Sequence, residues 1–285
     1  MFRAQLAAAL TCALLWLPIS PPLPVQTAAA PLDDAAMETF LRTAKIVRST
    51  AVGKGVTGST RATLSLGELT HDVHVQTIDL FQREFKGTTK SELNFRDKWQ
   101  FNVAAYKIDR LLGLDMVPVT VERRWRNELA SFTWWVDDVL MEEGERRKKQ
   151  ITPPDEQCWT EQVHSLRIFD QLIDNIDRNL GNMVISRSWR LWAIDHTRAF
   201  RRSKAPTSPE TLRRIDRRLL GRLEALDFAT LKREVGRYIE DGDIRRLLER
   251  RDAIVAHFKA GAERVLFDRR DLTAGCPAPS APARN

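Results

Sequence analysis

The chain has 285 residues, 43% of them hydrophobic, and a formal net charge of +7 carried by 34 Arg against 11 Lys. That length and apolar content suffice for one generous core or for two lobes. The basic clusters, at Arg123-Arg124, Arg146 to Lys149, Arg201-Arg202 and Arg213 to Arg218, are interleaved with acids as on solvated helix faces. The sequence carries no specific nucleic-acid module, zinc-spaced Cys/His set, Ser-His-Asp hydrolase signature or internal repeat.

Residues 1–30 read as a signal peptide. Arg3 precedes an Ala- and Leu-rich run, Leu6 to Ile19, broken by Pro18; Pro-rich sequence follows, then the small residues Thr27-Ala-Ala-Ala30. An apolar run of about fourteen residues is short against the roughly 20 that span a bilayer. Export to the periplasm or the exterior is expected, with no stable membrane span after cleavage; anchoring by an uncleaved signal is the alternative.

Gly53-Lys-Gly55-Val-Thr-Gly58 lies between two β-prone runs, Lys45 to Val52 and Arg61 to Leu66. Its glycines suit either a plain hairpin turn or close approach of backbone N–H groups to a phosphate. His71 to Asp79 is the next strand, in which His71 and His74 face opposite sides. Over 97–112 the apolar residues Phe101, Ala104, Ala105, Ile108, Leu111 and Leu112 share one helical face, and Gly113 is a fitting stop. Leu129 to Val136 is a further strand, with Trp134 and Trp135 able to serve as core or to stack on a base, and Asp137 to Gly144 connects to the second half.

Val163, Leu166, Phe169, Ile173 and Ile176 recur at helical spacing and predict a buried helix that delivers Asp177 to its far end. Met183 to Ser186 and Trp189 to Ile194 are β-prone runs around the turn Arg187-Ser188. Folded as a hairpin, with strands about 4.8 Å apart, they place Asn182 within a residue or two of opposite Asp195. Both oxygens then reach one cation, for which Mg²⁺ or Mn²⁺ is the natural ion. Phosphoryl transfer needs this set: a carboxylate to take the hydroxyl proton, here Asp177, and an Asn and a second Asp to hold metal on the phosphates.

Beyond Asp195, residues 196–207 form a basic loop, and Ser208-Pro209 opens helices expected over about 209–226, 228–239 and 243–267. Residues 269–285, rich in Pro and Ala, read as a disordered tail. Export would leave Cys158 and Cys276, either as a bridge or as two thiols.

The segment from Ile173 to Phe200 resembles the catalytic core of the atypical kinase-like superfamily: phosphoinositide 3-/4-kinases, HipA-type kinases and the secreted Golgi casein kinases. Their Asp-Arg-x-x-x-Asn (or Glu) loop is matched by Asp177, Arg178 and Asn182, their hairpin end by Ile194-Asp195, and Asn175 fits the "Gly-Asn-x-Asp-Arg" pattern. Asn102 to Pro118 resembles the helix and following strand of the smaller lobe in the secreted kinases. The resemblance implies a two-lobed α+β protein-kinase-like fold, with a β-rich amino-terminal lobe over 38–140 and a mainly helical carboxy-terminal lobe over 141–268. ATP and Mg²⁺ or Mn²⁺ would sit between them. It implies Asp177 as the catalytic residue, Asn182 and Asp195 as metal ligands, and Gly53, Gly55 and Gly58 over the phosphates. The strand lysine and helix glutamate that pair on the phosphates in such enzymes fall at Gln76 and Asn102, two neutral amides that stand as nucleotide-binding candidates. Lys86 or Lys90, in a loop after the strand, are candidate replacements. The function implied is an exported ATP- and metal-dependent phosphotransferase for a protein or small-molecule hydroxyl; the alternative is a pseudokinase that binds nucleotide or scaffolds.

Overall fold

The computed structural model describes residues 32–51, 59–86, 91–270 and 275–276. The signal segment, the glycine run Gly53 to Gly58 and Lys90 lie outside the described residues, and those from Asp33 onward belong to one compact unit.

Helix α1 (Asp34–Thr43) starts at Asp33, whose carboxylate accepts from the Ala36 N–H, and precedes a five-stranded antiparallel sheet. Its strands are β1 (Lys45–Ala51), β2 (Thr60–Leu66), β3 (Leu69–Gln76), β6 (Thr120–Trp125) and β7 (Glu128–Trp134), in the order β1-β2-β3-β7-β6. Alternation decides its two faces. Ala62, Val73, Val75, Val121, Phe132 and Trp134 share one side by register and are buried. The α1 residue Phe40 packs edge-on to Trp134 there, with ring centroids 5.6 Å apart. Trp134 is therefore core, stacked also on His71. The opposite side is polar, with His74, Gln76, Ser131 and Thr133.

Between β3 and helix α2 (Gln100–Leu111) the chain forms an antiparallel pair, β4 (Asp79–Lys86) and β5 (Ser91–Lys98). Two expectations are corrected here. Lys86 sits in a strand, not a loop, and the helix expected from residue 97 starts at Gln100. Backbone bonds of the β5 end explain the delay: the Lys98 N–H donates to the Thr197 carbonyl at 2.9 Å and the Trp99 N–H to Ile78 at 2.7 Å. Gly113 ends the region as expected, with a φ of +55°; a Cβ there would fall on the Arg222 guanidinium.

A small sheet, β10 (Leu191–Ala193), β9 (Met183–Ser186) and β8 (Val139–Glu142), lies beside helices α3 (Glu143–Lys148) and α4 (Glu156–Leu172). Asp155 caps α4 through the Cys158 N–H at 2.9 Å. Helices α5 (Arg217–Ala225), α6 (Phe228–Val235) and α7 (Asp241–Gly261) follow. The helix expected from 209 is thus also corrected. Ser208-Pro209 opens only a 3₁₀ turn, because Ile215 and Asp216 form a short strand, β11 (Ile215–Asp216), parallel to β12 (Leu266–Phe267). Asp216 then caps α5 through the Arg218 N–H.

Two long-range ties complete the unit. Arg96 on β5 forms a bidentate, buried pair with Asp243 on α7, at 2.8 and 3.0 Å. Cys276, which sequence reading put in a disordered tail, is buried and bridged to Cys158, with Cα atoms 5.7 Å apart. No helix among the described residues is long and apolar enough to cross a membrane.

Candidate active site

The site is assembled by the loop that follows α4. The helix ends at Leu172 with Ile173 as its cap; Ile173 is buried in the same core as Leu166 and Phe169, as expected, whereas Ile176 leaves that face and is 50% exposed. Asn175 is the reason. Its Nδ2 donates to Asp170 Oδ1 at 3.0 Å and its Oδ1 accepts from the Asp177 N–H at 3.3 Å, a local side-chain bonding pattern that competes with the helix.

Arg178 then fixes the loop against the hairpin. Its guanidinium donates to both oxygens of Asp170, at 3.0 Å each, to the Asn182 carbonyl at 3.0 Å and to the Ile194 carbonyl at 2.6 Å. It also donates to His196 Nε2 at 2.8 Å. An arginine can only donate, so His196 accepts and is neutral. Burial, and then the Arg178 charge, hold its imidazole well below the usual range. Asn179 caps the 3₁₀ turn Leu180–Asn182 through the N–H groups of Gly181 and Asn182.

The hairpin forms, but its second strand begins at Leu191 and not at Trp189: residues 187–190 make the turn, with Trp189 at a left-handed φ of 60°. The Ile194 N–H donates to the Asn182 carbonyl at 3.1 Å, which places Asn182 one residue from opposite Asp195. Asp195 adopts a left-handed φ of 55°, a conformation that Asp tolerates better than most residues, and its Oδ1 accepts from the Thr197 hydroxyl at 3.1 Å. Asp177 faces the same charge environment. Burial first, and then the Asp195 carboxylate, push its carboxyl up, while Arg198 and Arg178 oppose them.

From the other half of the chain, Asn102 on α2 reaches across. Its Oδ1 accepts from the His196 N–H at 2.8 Å, and its Nδ2 donates to Ser131 Oγ at 3.2 Å. Ser131 lies opposite Gln76 in the β3–β7 register. Gln76 and Asn102 therefore meet at one sheet position. Gln76 donates to Ser59 Oγ at 3.3 Å and accepts from the Thr77 N–H at 3.1 Å. A Lys–Glu contact does exist on β4, Lys86 to Glu84 at 3.8 Å, but it runs along the exposed strand. Glu92 is held by Arg198 at 2.6 Å and by Arg201 at 3.1 Å.

Sequence reasoning missed two members of this neighbourhood, Asp97 and Arg198. Burial first pushes the Asp97 carboxyl up; the Thr197 hydroxyl pulls it down, and Asp195 and Asp177 add to the rise. Asp97 looked like the first residue of a helix, where an isolated Asp is ordinary. Only the strand that runs through it puts it in the site. Beside the loop, a cavity of about 320 Å³ is lined by Leu93, Arg96, Ile176, Arg201, Arg202 and Thr207, among others.

The donor set suits a hard divalent cation. Asp195 offers a carboxylate beside Asn182, and Asp97 Oδ1 is buried without a hydrogen-bond partner among the described residues. No three His, Cys, Asp or Glu side chains among the described residues group to hold an ion by themselves. An ion here would complete its shell with other oxygens, as Mg²⁺ does with phosphate and water.

No protein-family model and no curated protein matches the chain. Solved structures do. The structure of hydra Fam20 with sugar aligns at a TM-score of 0.61 and 16% identity, over 85% of this chain and 94% of that one. The Golgi casein kinase with Mn/ADP bound aligns at 0.56 and 13%, over 88% and 81%. The Helicobacter pylori proinflammatory kinase CtkA aligns at 0.50 and 10%, over 77% and 98%. Likeness at such identities is likeness of fold. The chain has the α+β, protein-kinase-like fold of the atypical kinases, β-rich in its amino-terminal part and mainly helical in its carboxy-terminal part.

Proposed function

We propose that this protein-kinase-like chain is an exported ATP- and metal-dependent phosphotransferase acting on a hydroxyl of a protein or small molecule. The observation that carries the reading is the Arg178 fork, which ties the loop of Asp177 to Asn182 and to the residue before Asp195. Asp177 would orient the acceptor hydroxyl and take its proton as the new O–P bond forms and the bond from the γ-phosphorus to its bridging oxygen breaks. Its raised carboxyl makes it a better proton acceptor than a free aspartate. Asn182 and Asp195 would hold Mg²⁺ or Mn²⁺, which would neutralise charge on the phosphates. Gln76 and Asn102 would border the nucleotide, and Gly53, Gly55 and Gly58 would cover its phosphates. One structural neighbour carries Mn and ADP and another a sugar, which supports the nucleotide–metal pair and a hydroxyl-bearing acceptor.

Export is proposed from the 1–30 segment. The Cys158–Cys276 bridge supports it, since disulfides persist in oxidising compartments. A second reading, a pseudokinase, is favoured by Asn102: both ends of its amide are engaged within the protein, and no charged pair stands at Gln76 and Asn102.

The test is metal-dependent ATP binding and turnover by the purified protein. Asp195→Asn should remove binding; Asn is the better probe than Ala because it tolerates the left-handed backbone. Asp177→Asn should spare binding and lower phosphotransfer by about two to four orders of magnitude. Wild-type binding without turnover would favour the pseudokinase, and a wild type that binds no nucleotide would leave only a scaffolding role.

A further inference from the structure

Asp97 is the last residue but one of β5, and the proposed function gives it no role. It is only 5% exposed, and its Oδ1 has no hydrogen-bond partner among the described residues. The backbone bond from Lys98 to the Thr197 carbonyl seats this strand end against the segment after Asp195, and the Thr197 hydroxyl serves both carboxylates, bonding Asp195 Oδ1 at 3.1 Å and pulling the Asp97 carboxyl down, which leaves Asp97 Oδ1 as the oxygen without a partner. Asp97 thus lies within the fields of Asp195 and Asp177. Arg198 is the cation that acts on it, yet its guanidinium is already engaged by Glu92 at 2.6 Å and by the Arg96 carbonyl at 3.0 Å. Proteins seldom bury a carboxylate oxygen unpaired, and more rarely beside two other carboxylates, unless a cation belongs there.

We propose that Asp97 is a ligand of the divalent cation and shares it with Asp195. The inference rests on the metal-binding reading of Asp195. Asn102, the helix position next to His196, carries no acid; Asp97, five residues earlier at the strand end, supplies it. Two carboxylates with phosphate and water oxygens make a coordination shell that suits Mg²⁺ or Mn²⁺. The alternative is an Asp97 that only packs the junction of β5 with residue 197.

The experiment is Mn²⁺ titration, followed by the electron paramagnetic resonance signal of free Mn²⁺, on the full chain with ADP present. Melting of the metal-free protein is read in parallel. Asp97→Asn should weaken Mn²⁺ binding at least tenfold while leaving metal-free melting unchanged or raised, because one of three mutually repelling carboxylates is gone. A purely structural Asp97 would do the reverse, lowering metal-free melting and leaving Mn²⁺ affinity alone; that result overturns the proposal. Asp195→Asn is the control: if it loses Mn²⁺ while Asp97→Asn does not, this inference fails and the function reading stands. If wild type binds no Mn²⁺, both fail. Should Asp97→Asn not fold, Asp97→Glu decides, since it keeps the charge but shifts the ligand by one methylene. Weaker binding than wild type supports ligation, and unchanged affinity overturns it.

Discussion

Asn102 accepts a hydrogen bond from the backbone N–H of His196 at 2.8 Å, so helix α2 is fastened to the residue directly after Asp195. The same amide donates to Ser131 on β7. One small neutral side chain therefore joins a helix, a central strand and the segment that carries the proposed metal ligand.

Asn102→Ala should lose both bonds and leave buried partners unpaired, at a cost of about 1–3 kcal/mol. A denaturant midpoint measures it. Asn102→Glu, the residue the resembling enzymes carry, should also destabilise the fold, because a longer, charged side chain must enter a buried site. Activity gained by Gln76→Lys with Asn102→Glu, without any loss of stability, would count against this account.

Arg178→Lys should cost about 1.5–3 kcal/mol and disorder the loop. A lysine has one point of charge and cannot bind Asp170, Asn182, Ile194 and His196 at once. Hydrogen exchange at residues 177–182 should rise with it, and unchanged protection there would contradict the role given to the fork.

Asp109 supplies a pH test away from the site. Burial pushes its carboxyl up to about 6 against an ordinary 3.8, with Arg110 and the Met116 N–H opposing. Between those values the folded chain holds a proton that the unfolded chain has released. Its contribution to stability therefore rises as pH falls from about 6 to about 4 and is flat outside that window. The slope is at most about 1.4 kcal/mol per pH unit. Asp109→Asn keeps the acceptor for the Met116 N–H and should abolish this slope, read as the difference between wild-type and variant melting across the window.

Cys276→Ser should destabilise by about 3–5 kcal/mol, the scale expected for opening a loop closed over 118 residues. Reductant should have the same effect on wild type and none on the variant. The hairpin should feel it first, because the Cys276 N–H donates to the Ser188 carbonyl in the β9–β10 turn.

The hairpin from Met183 to Ile194 was legible because two β-prone runs flank one polar turn, but its register was not, because Trp189 reads as a strand residue and lies in the turn with a φ of 60°. Helix α2 was legible from its 3.6-residue period. The pair β4 and β5 was not. Its strands mix Phe81, Phe85 and Leu93 with charge and leave these apolar residues exposed, Leu93 by 73%, so no face reads as buried. Ile176 continued a helical period that Asn175 ends by bonding its own neighbours, an effect of one side chain that periodicity does not register. Asp97 was missed for a related reason: its place depends on a backbone bond to Thr197, one hundred residues away. For Cys276 the sequence left a bridge to Cys158 and two free thiols equally open, because a Pro- and Ala-rich stretch gives no sign that Cys276 is buried against α4.

The bridge from Cys158 to Cys276 encloses the hairpin, the basic loop after it and helices α5 to α7. A protease that cuts once within that span, for instance at the arginines of 201–202, yields two pieces still joined by sulfur. Such a nicked molecule keeps its mobility on a non-reducing gel and separates only when thiol is added. An unchanged band without reductant is therefore no guarantee of an intact chain, and samples of uncertain history need to be compared in both conditions before any loss of activity is assigned to a substitution.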